Sequence, residues 1–173
     1  ISPVVNASRQ VAFIGTLNGS NGAWLVTPKA TGHGPLTIEQ IVLSNTPAPG
    51  LPGVVFGSPS SPGGNRGLFI GDNSTVTFWA GLSGAGVNSS NNIALWQSYI
   101  NASGTRTLRL IARAGQVVPG SSALTLSSFL LGSETRVNSF GDAAFWGLLN
   151  GAEVNTTNDY GIFTYVDGVL RMP

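Results

Sequence analysis

The sequence predicts an all-β fold, an open array of about two and a half antiparallel meander units of about 66 residues each. Three observations predict it. Short runs rich in Val, Ile, Leu, Phe, Trp and Thr alternate with clusters of Gly, Asn, Pro and Ser, the punctuation of strands and tight turns. One apolar triplet recurs as Val11-Ala12-Phe13, Val76-Thr77-Phe78 and Ala143-Ala144-Phe145, at intervals of about 65 and 67 residues. Helices find almost no support in the apolar spacing.

Each element of the unit can be read in order. The triplet opens the first strand. The second strand carries Gly22-Ala23-Trp24, Ala94-Leu95-Trp96 and Gly161-Ile162-Phe163, the first of these after a shorter loop. The third strand is Ile38-Glu39-Gln40-Ile41, then Thr107-Leu108-Arg109-Leu110, then Val169-Leu170-Arg171-Met172. A Pro-Gly turn follows in two copies, Ala48-Pro49-Gly50 and Val118-Pro119-Gly120, each leading to a fourth strand with Phe56 or Phe129. The chain therefore reads as a single β-repeat domain over 1–173, with repeat 1 about 1–66, repeat 2 about 67–136 and a partial repeat 3 about 137–173. A unit of this size cannot bury both faces of its sheet alone, so neighbouring units must stack to make the core. Phe13, Phe78 and Phe145 are expected to occupy equivalent buried positions in successive sheets. Of each adjacent pair, Phe78-Trp79 and Phe145-Trp146, one ring must point to each face of its strand.

Around the third triplet the chain reads Asn138-Ser139-Phe140-Gly141-Asp142-Ala143-Ala144-Phe145, which resembles a bacterial family of surface-anchored proteins with a tandem Asn-x-x-Gly-x-x-Ala-Phe repeat. The first copy, Asn6 through Phe13, has Arg9 in place of the Gly, and the second, Gly71 through Phe78, replaces both the Asn and the inner Gly. The likeness extends to Gly161-Ile162-Phe163, to the segment from Leu108 to Gly115 and to the Pro-Gly turns, and so covers nearly the whole chain. The resemblance implies an exported protein with propeller-like blades and no established activity. On the residues alone, Asn138 and Gly141 suit a tight turn and Phe145 a core position.

Composition excludes several classes. Charged residues make up 9% of the chain against roughly 25% in an ordinary soluble protein, so surface polarity comes from Asn, Ser, Thr and Gly. A net charge of +1 offers no field for a phosphate backbone, and nucleic acid is not an expected partner. No apolar run is long enough to span a membrane as a helix. The absence of cysteine removes disulfides and thiolate metal sites. The chain starts at Ile1 with no signal-peptide pattern, as expected of a processed form or a fragment, and extracellular or cell-surface localisation is expected.

Chemistry-bearing patterns are sparse. The seven carboxylates, Glu39, Asp72, Glu134, Asp142, Glu153, Asp159 and Asp167, do not recur at matching places, and the one histidine, His33, sits in a Gly-rich loop where a triad base would be poorly held. The Gly-rich stretch Gly81–Gly86 lacks the Lys and following helix of a phosphate loop, and neither it nor Ser61–Gly64 is read as a nucleotide site. No cofactor, metal or catalytic residue is expected, and the chain is not read as an enzyme. Two loops correspond, Gly84 through Asn92 and Gly151 through Asp159; turn formation is favoured over calcium binding because the first has no carboxylate. Six Asn-x-Ser/Thr sequons occur, at Asn6, Asn18, Asn73, Asn88, Asn101 and Asn155, and N-glycosylation is expected at some of Asn73, Asn88, Asn101 and Asn155. Glycans are a second expected class of partner, since Trp24, Trp79, Trp96 and Trp146 could form a stacking face, although packing between layers is favoured.

The reading that remains is a non-catalytic extracellular structural protein, a self-assembling surface or fibre subunit joined head to tail by β-strand addition; the alternative is a carbohydrate-binding or adhesion module. The expected assembly ends are Ile1, Val4 and Val5, a segment with no preceding sheet to receive it, and Leu170 and Met172, where the last unit stops short of its closing strand.

Overall fold

The computed structural model describes residues 3–29, 34–59, 67–129 and 135–173. Among them are fourteen strands and no helix, in three antiparallel sheets. The first sheet consists of β1 (Val4–Val5), β2 (Val11–Leu17), β3 (Ser20–Thr27) and β4 (Thr37–Leu43), side by side in chain order. The second contains β5 (Val54–Pro59), β6 (Leu68–Ile70), β7 (Val76–Gly84), β8 (Ile93–Ile100) and β9 (Arg106–Arg113). Both β5 and β6 pair with one edge of β7, and β8 and β9 follow on the other. The third repeats that plan with β10 (Thr125–Phe129), β11 (Arg136–Val137), β12 (Ala143–Asn150), β13 (Tyr160–Val166) and β14 (Val169–Arg171). No helix among the described residues is long and apolar enough to cross a membrane.

One strand per unit changes owner. The sequence reading assigns the strands of Phe56 and Phe129 to the ends of units one and two. In the structure Phe56 lies opposite Leu82 in the second sheet and Phe129 opposite Gly147 in the third. The Pro-Gly turns carry the chain across to the next layer, where Val54 and Phe56 find a buried face; apolar content marks a strand but not its partner.

The ladders place matching residues at matching points. Phe13 is opposite Trp24, Phe78 opposite Trp96 and Phe145 opposite Phe163. Alternate residues face opposite sides of a strand, so each sheet has two faces to bury. Ala12, Ala23 and Leu25 of the first sheet share a core with Phe78, Ala80 and Trp96 of the second. From the second sheet's other face, Trp79 and Leu95 share a core with Phe129, Phe145 and Phe163. The second sheet is thus covered on both sides, which is why Phe78 and Trp79 are both buried despite pointing apart. In the third sheet Phe145 is buried and Trp146 is 42% exposed.

The expectation of three equivalent buried phenylalanines holds for Phe78 and Phe145 and fails for Phe13, which is half-buried. Phe13 has the same register as the others, but its face of the first sheet looks away from the second sheet, and its ring is covered chiefly by Trp24, stacked at 5.8 Å.

A feature that apolar periodicity does not reveal recurs in two sheets. The ladder slips between Ala23 and Trp24 against β4, and between Leu95 and Trp96 against β9, leaving Ile41 and Ile111 as the extra residues of two bulges. Each bulge lets consecutive residues, Ile41-Val42 and Ile111-Ala112, reach the same core.

Candidate functional site

The Asn-x-x-Gly-x-x-Ala-Phe segments form three corner turns, at Asn6–Gln10, Gly71–Thr75 and Asn138–Asp142. In each, the first residue's N–H donates to the carbonyl of the fifth, and the fourth residue's N–H donates to the carbonyl of the first. The fourth residue is left-handed every time: Arg9 at φ 62°, Ser74 at 66° and Gly141 at 87°. That conformation suits glycine, and Arg9 adopts it with a side chain. The opening Asn closes the turn from within, its Oδ1 accepting the N–H of Gln10 or of Asp142 at 2.9 Å.

The turns also lock to one another. Asn6 Nδ2 donates to the Gly71 carbonyl at 2.9 Å, the Ala7 N–H donates to Asp72 Oδ1 at 2.8 Å, and Ser74 Oγ donates to Gln10 Oε1 at 3.0 Å. Between the second and third turns Asn73 Nδ2 donates to the Phe140 carbonyl at 2.6 Å, and the buried Gln97 donates through Nε2 to the Gly141 carbonyl at 2.6 Å. Gln97 Oε1 in turn accepts from Arg109 through Nε and Nη2. The Arg109 guanidinium lies between the Tyr99 ring at 4.3 Å and the Tyr165 ring at 4.9 Å. Burial pushes the Tyr165 hydroxyl above its ordinary pKa of 10.0; Arg109 opposes that shift and Tyr99 adds to it. Between the first two sheets the corresponding tie is an ion pair, Arg106 Nε to Glu39 Oε2 at 2.8 Å.

At the two ends of the stack lie faces that no described residue covers. On the first sheet's outer face Val5, Leu17 and Ile38 are exposed beside the Phe13–Trp24 pair. On the third sheet's outer face Trp146, Tyr160, Ile162 and Val169 are exposed. Together they are seven of the eleven exposed large apolar side chains among the described residues, so apolar exposure is concentrated at the ends. Next to the third turn, on that outer face, a depression of about 310 Å³ is lined by Arg136, Val137, Asn138, Asp142, Ala144 and Thr164.

A family model described as a family of unknown function, DUF7453, matches residues 1–172. The chain belongs to that family. No curated protein and no solved structure matches it.

Val4 and Val5 are not a free segment: they pair with Ala12 and Val11 inside the first sheet, and Val4 packs on the core while Val5 stays exposed. Ile1 lies outside the described residues. Leu170 and Met172 turn inward and pack against the core between the second and third sheets. Because faces alternate along a strand, the outward apolar residues at that end are Trp146, Tyr160 and Ile162 instead. The four tryptophans do not share a face: Trp79 and Trp96 are buried, and Trp24 and Trp146 lie on opposite end faces.

The two Asn-rich loops share one scaffold. Asn88 N–H donates to Asn91 Oδ1 and Asn155 N–H to Asn158 Oδ1, at 2.8 and 2.7 Å. Asn91 and Asn158 amides donate to the Gly86 and Glu153 carbonyls at 3.0 and 3.1 Å. The Asn91 and Asn158 side-chain oxygens are thereby engaged in holding the turn. In three sequons the hydroxyl two residues on donates to the Asn side-chain oxygen: Ser90 to Asn88 at 2.6 Å, Ser103 to Asn101 at 2.7 Å and Thr157 to Asn155 at 2.6 Å. Asn73 differs, its amide nitrogen being committed to the Phe140 carbonyl.

Three carboxylates serve structural contacts, Glu39 with Arg106, Asp72 with the Ala7 N–H and Asp142 with Asn138 Nδ2 at 2.9 Å. No group of three or more His, Asp or Glu among the described residues could hold a metal ion. His33, Glu134 and the Ser61–Gly64 stretch lie outside the described residues.

Proposed function

We propose that the protein is a non-catalytic structural protein of the cell surface or extracellular space, whose copies join head to tail into a fibre or layer. The observation that carries this reading is the pair of apolar end faces, Val5, Leu17 and Ile38 at one end and Trp146, Tyr160, Ile162 and Val169 at the other. A stack of sheets is stabilised by covering each face with the next sheet, and an exposed apolar face invites another. The ends differ in composition, so the contact is heterologous and propagates unless rotation closes a ring. Strand addition contributes at the sheet edges: three residues of β14 pair with β13, where seven of β9 pair with β8, so residues 160–163 have no ladder partner on that side among the described residues. The surface location is supported by the tandem-repeat resemblance.

A carbohydrate-binding or adhesion role is favoured by one observation, the exposure of Trp146 and Tyr160 on a single face. Two measurements separate the readings. Light scattering of the purified chain across a concentration series should show growing particles, and pull-down on insoluble polysaccharide should show no retention. A strictly monomeric chain that binds the polysaccharide would replace the first reading with the second.

A further inference from the structure

We propose that the outer face of the third sheet receives the first sheet of a second copy of this chain as a fourth layer, with Arg9 of the incoming corner turn set against Asp142. This rests on the assembly reading above and names its joint.

The molecule contains the template for this contact. Inside the chain Trp79 meets Phe145 of the next sheet edge-on at 6.0 Å. One layer further, Trp146 stands where Trp79 stands, opposite Ile162 as Trp79 is opposite Leu95. Phe13 of a second copy stands where Phe145 stands, opposite Trp24 as Phe145 is opposite Phe163. Both Trp146 and Phe13 lack the cover that their counterparts have.

The corner turns extend the series in the same way. The fourth residue of each turn contacts the fifth residue of the turn before it. Ser74 Oγ donates to Gln10 Oε1, and a Cβ placed on Gly141 would stand 2.9 Å from Thr75 Oγ1. The next fifth residue is Asp142, and the fourth residue still without a preceding turn is Arg9. They are opposite in charge, whereas the two internal contacts are neutral. Arg9 is exposed, forms no ion pair among the described residues and holds a left-handed φ of 62° that a side chain rarely adopts.

A seat is present for the incoming turn. The Gly141 turn is held in the second sheet's equivalent of the 310 Å³ depression, against Gly71, Asn73, Thr75 and Gln97. One layer on, the matching residues are Asn138, Phe140, Asp142 and Thr164. Asn138, Asp142 and Thr164 line the depression, and Phe140 beside it is 79% exposed. An arginine arriving there meets the Asp142 carboxylate and the Phe140 ring, with the Arg136 guanidinium also lining the depression.

Sedimentation velocity on wild type, Arg9→Glu, Asp142→Lys, the double variant and Trp146→Arg tests the joint, with circular dichroism melts checking that each variant is folded. Each single variant should raise the concentration for half-assembly about tenfold or more, and the double should recover to within a few-fold of wild type. Trp146→Arg should remove assembly while leaving the melt unchanged, since its ring is outside the fold's own core. Assemblies that persist in all variants, or single losses that the double does not recover, overturn this joint and leave the assembly reading standing. A wild type that stays monomeric overturns both.

Discussion

Replacing Phe145 by Ala should cost about 3–5 kcal/mol, and the same change at Phe13 only about 1 kcal/mol, although both occupy the last position of the same motif. Phe145 is buried and meets three rings, Phe163 stacked at 5.4 Å and Trp79 and Phe129 each at 6.0 Å. Burying a phenylalanine is worth about 1.5–3 kcal/mol, each well-placed ring pair adds about 0.5–1.5 kcal/mol, and the hole left between two sheets cannot collapse without moving strands. Phe13 is half-buried with Trp24 as its one ring partner among the described residues, and the space it vacates opens to water. Urea unfolding below the assembly concentration, with equal slopes for the variants, gives the two differences directly. Equal losses at Phe13 and Phe145 would refute the account, because they would mean that motif position rather than coverage by a neighbouring sheet sets the cost.

Gln97→Leu should destabilise by about 2–3 kcal/mol in the same assay, since it strands the Gly141 carbonyl and the Arg109 guanidinium together; a neutral result would mean the inter-sheet tie contributes nothing. One tyrosine, Tyr165, should titrate above 10.0 in an ultraviolet absorbance titration. Its raised folded-state value means the stability it contributes is complete below pH 10.0 and falls as pH climbs past it, so Tyr165→Phe should flatten the alkaline loss of melting temperature; an unchanged slope argues against this. Peptide mapping of protein from its native source should find glycans on Asn88, Asn101 or Asn155 and not on Asn73, whose amide nitrogen is engaged; an unmodified mass of 17.8 kDa contradicts this.

The strand content was legible in the sequence, because alternation and turn residues act locally; that Phe78 lies opposite Trp96 and Phe145 opposite Phe163 comes from the ladders. Sheet membership was not legible. Nothing in the residues around Phe56 distinguishes a strand that closes its own sheet from one that opens the next. The bulges at Ile41 and Ile111 were hidden for a related reason, since an extra residue breaks the alternation that would reveal the strand. The end faces differ in detail from the sequence expectation: Leu170 and Met172 look like a terminal apolar edge, but the ladder turns them inward and leaves Trp146 and Ile162 outside. Arg9 was visible as a departure from the motif glycine. Its meaning depends on the three turns sharing one backbone and locking in series.

The central claim, that copies continue the internal stack of sheets, is tested most directly by cryo-electron microscopy of the purified chain. The account predicts filaments or closed rings in which each subunit adds three sheets, roughly 10 Å apart, with the Trp146 face of one copy on the Phe13 face of the next. Discrete single particles, or polymers joined through other surfaces with both faces left open, would contradict it.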